Sequence, residues 1–238
     1  MIALVTFLIF ITSLIGFIIG FGTSTLLIPI LLFWYSVSTV LILVGLLHLL
    51  NDLTKIFFLF KEVPWRLAIF FGFPAVVMSF FGAQLTFLID RALFLRVLGI
   101  ILLIYVLVEW FHETIVLPRN RVVTLLGGGL YGFIQGLTGI GGALRAAILT
   151  SYHMTPAEFV AANGFVTLLV DLVRVGTYIS HGFPLEFAWW HYLLFIIAVL
   201  LSAVVGKYLI YRLPVKLIQQ LVLIAIFMVS LKFIFLPH

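Results

Sequence analysis

Residues 2–29 read IALVTFLIFITSLIGFIIGFGTSTLLIP. The first nineteen of them carry no charge, and a helix needs about 20 apolar residues to cross a bilayer. Gly20-Phe21-Gly22 then interrupts the run. A second apolar stretch follows that is too short to cross: as a helix, residues 23–35 would rise only about 18 Å. A long apolar helix, a glycine break and a short helix therefore open the chain. The same sequence of features returns later, where the break Gly139-Ile140-Gly141-Gly142 leads into the short stretch 142–153, which carries Arg145.

The composition extends this to the whole chain. Of 238 residues, 65% are hydrophobic and 9% are charged, where soluble domains carry roughly 25% charged residues. Too little polar surface remains to cover a water-soluble fold. The apolar runs are continuous rather than alternating, which argues against a β-barrel. Helices satisfy every backbone group within the segment, so an all-α membrane protein is expected. Eight long spans are predicted, at 2–20, 37–60, 66–89, 92–112, 121–138, 157–180, 186–207 and 214–236. Residues 2–20 have no basic leader and no small-residue cleavage pattern, so they read as a retained span. The net charge of +5 is spread over span ends, without the clustered basic face that nucleic acid requires. With no cysteine and no histidine pair at ligand spacing, neither a metal site nor a cofactor is expected.

The two openings belong to an internal repeat. A shift of 119 places Gly20 and Gly22 on Gly139 and Gly141, and Asp52-Leu53-Thr54-Lys55 on Asp171-Leu172-Val173-Arg174. A shift of 124 places Gly82 on Gly206. Residues 1–117 and 118–238 thus form two similar halves. If the short helices do not cross, each half has four spans and the repeats are parallel; if they cross, the repeats are inverted.

Candidate functional residues gather at these breaks. Glycine lets a ligand approach the backbone, and the unpaired amides of a helix N-terminus attract anions. The first break offers Gly20, Gly22, Thr23, Ser24 and Thr25. The second offers Gly139, Gly141, Gly142 and Arg145, with Gln135 and Thr138 just before it. An arginine at membrane depth is costly unless it meets water, a partner or a ligand. Arg145 is therefore read as an anion contact, set against a structural pairing with Asp52 or Asp171. A second group has a coupling or gating character: His48, Asn51 and Asp52 on one span, and Asn163, Thr167, Asp171 and Arg174 on its counterpart. Asp52–Lys55 and Asp171–Arg174 read more simply as neutralising pairs. His48 has no counterpart in the second half, and histidine suits proton transfer. No nucleophile–base arrangement and no phosphate loop are present, so an enzyme is not expected.

These motifs resemble the sulfite exporter TauE/SafE family of membrane permeases. The resemblance rests on Gly20-Phe21-Gly22-Thr23-Ser24 ending at Ile28-Pro29, on Gly139-Ile140-Gly141-Gly142-Ala143, on Val63-Pro64-Trp65-Arg66, and on Asp171-Leu172-Val173-Arg174 with Tyr178 and Gly182. Three positions depart from the pattern. Thr23 stands for a third glycine, Ile148 for the second proline, and Arg145 for an apolar residue. The resemblance implies a cell-membrane transporter that exports or takes up a small anion, often a sulfur oxyanion or sulfonate such as sulfite or sulfoacetate. The anion would sit between the two half-helix N-termini near the midplane and be exposed to the two sides alternately. An anion channel, or a transporter of another small organic acid, would use the same residues. Proton coupling, sodium coupling and homo-oligomerisation are all compatible with them.

Overall fold

The computed structural model describes residues 2–19, 23–111, 118–209 and 215–237. Gly20 and Gly22 lie outside the described residues. The described residues form ten α-helices, in order α1 Ile2–Ile19, α2 Thr23–Leu31, α3 Val37–Leu59, α4 Trp65–Leu88, α5 Arg91–Phe111, α6 Arg121–Thr138, α7 Gly142–Thr150, α8 Pro156–Ser180, α9 Trp189–Leu209 and α10 Val215–Phe235. The described residues contain no strand. Among the described residues, six helices or their extended spans are long and apolar enough to cross a membrane: 37–62, 65–88, 91–111, 156–180, 189–206 and 217–235. The protein is a multi-pass membrane protein. The short elements α2 and α7 have nine residues each and rise only about 14 Å.

The chain forms two compact units, and each draws on both halves of the sequence. One comprises Met1–Val40, Ile89–His112 and Leu185–His238; the other comprises Leu41–Leu88 and Glu113–Pro184. In the first unit α1 packs on α9 and α5 on α10. Gly99 permits the second contact, because a Cβ there would stand 2.8 Å from the Ser230 carbonyl oxygen. Arg91 donates to the Leu32 carbonyl at 2.7 Å and the Tyr35 carbonyl at 3.2 Å. A cation therefore satisfies the carbonyls exposed where α2 ends.

In the second unit α6 packs on α4, and α8 packs on α4 as well. The α4–α6 contact is backbone against backbone. Gly128, Gly132 and Gly136 recur every fourth residue and face the Phe71, Ala75 and Ser79 carbonyls of α4. From the other side, Gly82 faces the Phe133 carbonyl and the Leu137 amide. Such small-residue stripes are how helices approach closely in lipid, where the hydrophobic effect does not drive association. Polar side chains then tie the helices together. Ser79 donates to the Val170 carbonyl at 3.1 Å and Thr86 to the Leu137 carbonyl at 3.1 Å. Tyr178 donates to the Gly136 carbonyl at 2.5 Å.

α8 starts with a capping box. Thr155 Oγ1 accepts from the Glu158 amide, Glu158 accepts from the Thr155 amide, and Pro156 occupies the first turn, where its missing N–H costs nothing.

The glycine stripe yields a stability prediction. Gly132→Val should destabilise the protein by about 3 kcal/mol or prevent folding, since a side chain has nowhere to go without moving α4. Gly176→Ala, where a Cβ meets nothing within 4 Å, should be neutral or slightly stabilising. Thermal unfolding in detergent distinguishes the two.

Candidate functional site

The second break is built by α6 and α7. Gly139 ends α6 with φ 74°, and its amide donates to the Gln135 carbonyl at 2.8 Å. This left-handed position suits glycine. Thr138 Oγ1 bonds its own turn, donating to Ile134 O at 2.8 Å and accepting from the Ile140 amide at 3.2 Å. Its hydroxyl is spent on shaping the break. Gly141 has a different reason: a Cβ there would lie 2.8 Å from the Tyr131 ring and 3.1 Å from Gln135 Oε1. The backbone thus passes close over Tyr131 and Gln135 of α6. Gly142 opens α7, whose first intrahelical bond runs from the Arg145 amide to the Gly141 carbonyl at 3.2 Å.

Arg145 projects from the first turn of α7 into a cluster of neutral acceptors. Its Nε donates to Asn163 Oδ1 at 2.6 Å, and its Nη1 donates to Tyr131 OH at 2.9 Å and to Thr167 Oγ1. Thr167 in turn donates to the Asn163 carbonyl at 2.8 Å. The guanidinium carbon lies 5.3 Å from the centre of the Tyr131 ring, within cation–π range. Tyr131 is held by stacking on Phe71, with ring centres 5.7 Å apart and planes 19° apart. These bonds use Nε and Nη1, and neither Asp52 nor Asp171 takes part in them.

One helical turn further along α8, a buried carboxylate is shared. Asp171 Oδ1 accepts from Gln135 Nε2 at 3.1 Å and Arg174 Nε at 3.1 Å, and lies 3.0 Å from Arg174 Nη2. Both side chains of the ion pair are fully buried. Asp171 Oδ2 faces His48 Nδ1 at 3.4 Å and makes no hydrogen bond. Asp52 is buried and pairs with Lys55 at 2.7 Å. Gly45 and Gly164 let α3 approach α8 on either side of His48: a Cβ on Gly45 would sit 2.6 Å from Val175, and one on Gly164 3.1 Å from the Lys55 Cβ.

The structure therefore gathers His48, Asp52, Gln135, Arg145, Asn163, Thr167, Asp171 and Arg174 in one unit, together with the break at Gly139–Gly142. Asn51 is exposed on α3. Thr23, Ser24 and Thr25 begin α2 in the other unit, with Ser24 and Thr25 buried. Tyr131 belongs to the same polar cluster, bonded to Arg145, and the sequence reading overlooked it. The signal available was its position four residues before Gln135, beside a glycine stripe at 128, 132 and 136.

The Arg145 environment makes a stability prediction. Asn163→Leu should cost about 2 kcal/mol, because a hydrogen bond to a charged group is worth about 1.5–3 kcal/mol and its loss strands the guanidinium. Adding Arg145→Met should recover much of that loss, since no partly buried charge is then left without its partner. Unfolding of the two single variants and the double variant in detergent measures the coupling.

The family model described as Sulfite exporter TauE/SafE matches residues 5–233. No curated protein and no solved structure matches the chain. With nearly the whole chain matched and six helices long and apolar enough to span, the chain belongs to the sulfite exporter TauE/SafE family of membrane permeases.

Proposed function

We propose that this permease is a secondary transporter, acting as an exporter, of a small sulfur oxyanion or organosulfonate such as sulfite or sulfoacetate. The observation that carries this reading is the partner set of Arg145. Its bonds go to an amide, a hydroxyl and a phenol, all of them neutral. By contrast, the carboxylates nearby are matched by Lys55 and Arg174. A positive charge held by neutral groups at membrane depth favours an anion as its missing counter-charge. The opening amides of α7, from Gly142 to Leu144, precede the first intrahelical bond and are directed as an anion needs.

In this reading the anion sheds its water against Arg145, the hydroxyls of Thr167 and Tyr131, and the α7 amides. The break at Gly139 and Gly141 keeps that backbone close to Tyr131 and Gln135. α2 and α7 act as re-entrant half-helices, being too short to cross, and the bound anion is exposed to one side of the membrane at a time. His48, Asp52, Asp171 and Arg174 lie next to the anion rather than on it, where they govern coupling and gating.

Flux into proteoliposomes tests the assignment with sulfite, sulfoacetate, a plain carboxylate and chloride. Saturable flux of a sulfur anion is expected. Arg145→Gln should lower it about 10- to 100-fold, the worth of one charged hydrogen-bond set. Undiminished flux through Arg145→Gln would remove Arg145 from the site.

A further inference from the structure

The hydrogens of the Arg145 guanidinium can be followed to their partners. Nε has one, and it goes to Asn163 Oδ1 at 2.6 Å. Nη1 has two, and two acceptors meet it, Tyr131 OH at 2.9 Å and Thr167 Oγ1. Both acceptors are held in place. Tyr131 is stacked on Phe71, and Thr167 is bonded to the Asn163 carbonyl. Asn163 thus acts twice: its side chain takes Nε, and its backbone orients a group that takes Nη1. Among the described residues Nη2 takes part in no hydrogen bond, and unlike the Nη atoms of Arg174 it is not enclosed.

Arginine grips an anion most strongly with two parallel N–H groups. Its guanidinium has two such forks, Nε with Nη2 and Nη1 with Nη2. Asn163 blocks the first, and Tyr131 with Thr167 blocks the second. Arg145 therefore meets an anion through Nη2 alone.

We propose that Asn163 is a positioning residue that makes the site select sulfonates over carboxylates. This rests on the transport reading above and extends it to substrate class. A carboxylate holds its charge on two oxygens, binds its water tightly, and fits the arginine fork. A sulfonate spreads the same charge over three oxygens and gives up its water at lower cost. Without a fork, the donors on offer recover the sulfonate's dehydration and fall short of the carboxylate's.

Equilibrium binding of labelled methanesulfonate and labelled acetate to the purified protein in detergent tests this. At about pH 7.5 both are small monoanions. The quantity read is the ratio of their dissociation constants, acetate over methanesulfonate, which does not depend on how much of the sample is folded. In the wild type this ratio should be about 10 or more, the worth of one charged hydrogen bond. Asn163→Ala keeps the carbonyl that bonds Thr167 and removes only the Nε acceptor, so the fork of Nε and Nη2 opens. The ratio should then fall to about 1, through tighter acetate binding rather than weaker methanesulfonate binding. Asn163→Ser, whose hydroxyl is too short to reach Nε, should give the same fall and serves where the alanine variant does not fold. A wild-type ratio of 1 or below, a ratio unchanged in these variants, or a fall caused only by weaker methanesulfonate binding overturns the proposal and leaves the transport reading standing. Saturable binding of neither anion, to wild-type protein that elutes as a folded species, overturns the transport reading and this proposal with it.

Discussion

Backbone contact between α4 and α6 is the constraint on which the second unit depends. Gly128, Gly132 and Gly136 give up side chains so that the carbonyls of Phe71, Ala75 and Ser79 can lie against them. In lipid the contact is worth its dispersion and polar links rather than expelled water. Its consequence is positional. Tyr131 and Gln135 flank the glycine stripe on the same helix, so the close approach fixes where their polar ends go. Phe71 stacks on Tyr131, and Ser79 bonds the backbone of α8 at Val170. The three helices thus lock together around the two side chains that hold Arg145 and Asp171.

The polar cluster that results obeys a simple rule of low-dielectric surroundings: a charge stays only where partners meet it. Arg174 and Asp171 meet each other with both side chains fully buried, and Asp52 meets Lys55. Arg145 is the exception in kind. Its partners satisfy its hydrogen-bonding geometry without cancelling its charge. Membership of the TauE/SafE family makes the protein a membrane permease, and a site with surplus positive charge is what a permease for anions needs.

Much of this was legible in the sequence, and the limits have physical causes. Long charge-free runs dictate membrane helices because backbone groups in lipid have no other partners. Six of the eight runs read as spans, at α3, α4, α5, α8, α9 and α10, are helices long and apolar enough to cross; the runs at α1 and α6 are helical among the described residues but fall short of that measure. The pairs Asp52–Lys55 and Asp171–Arg174 were readable because residues three apart share a helix face. What escaped depends on residues distant in the chain. Nothing local to Gly132 says that it meets Ala75, and Tyr131 reads as one more membrane aromatic until Arg145 is placed beside it. Thr138 illustrates the reverse case: placed by sequence among ligand contacts, its hydroxyl bonds its own turn at Ile134 and Ile140. The compact units also depart from the linear halves, since each takes helices from both. In each unit the first helix of one half packs on the fourth helix of the other, α1 on α9 and α6 on α4, an exchange no local pattern reveals.

The central claim is that the surplus charge of Arg145 marks where the anion sits. Anomalous diffraction from crystals of the protein soaked in selenite, the selenium analogue of sulfite, locates the anion without relying on flux. A selenium peak about 3–4 Å from the Arg145 guanidinium, with oxygens within hydrogen-bond distance of Thr167 and the first α7 amides, is the expected result. A well-occupied peak elsewhere in the transmembrane region, with none beside Arg145, would contradict it.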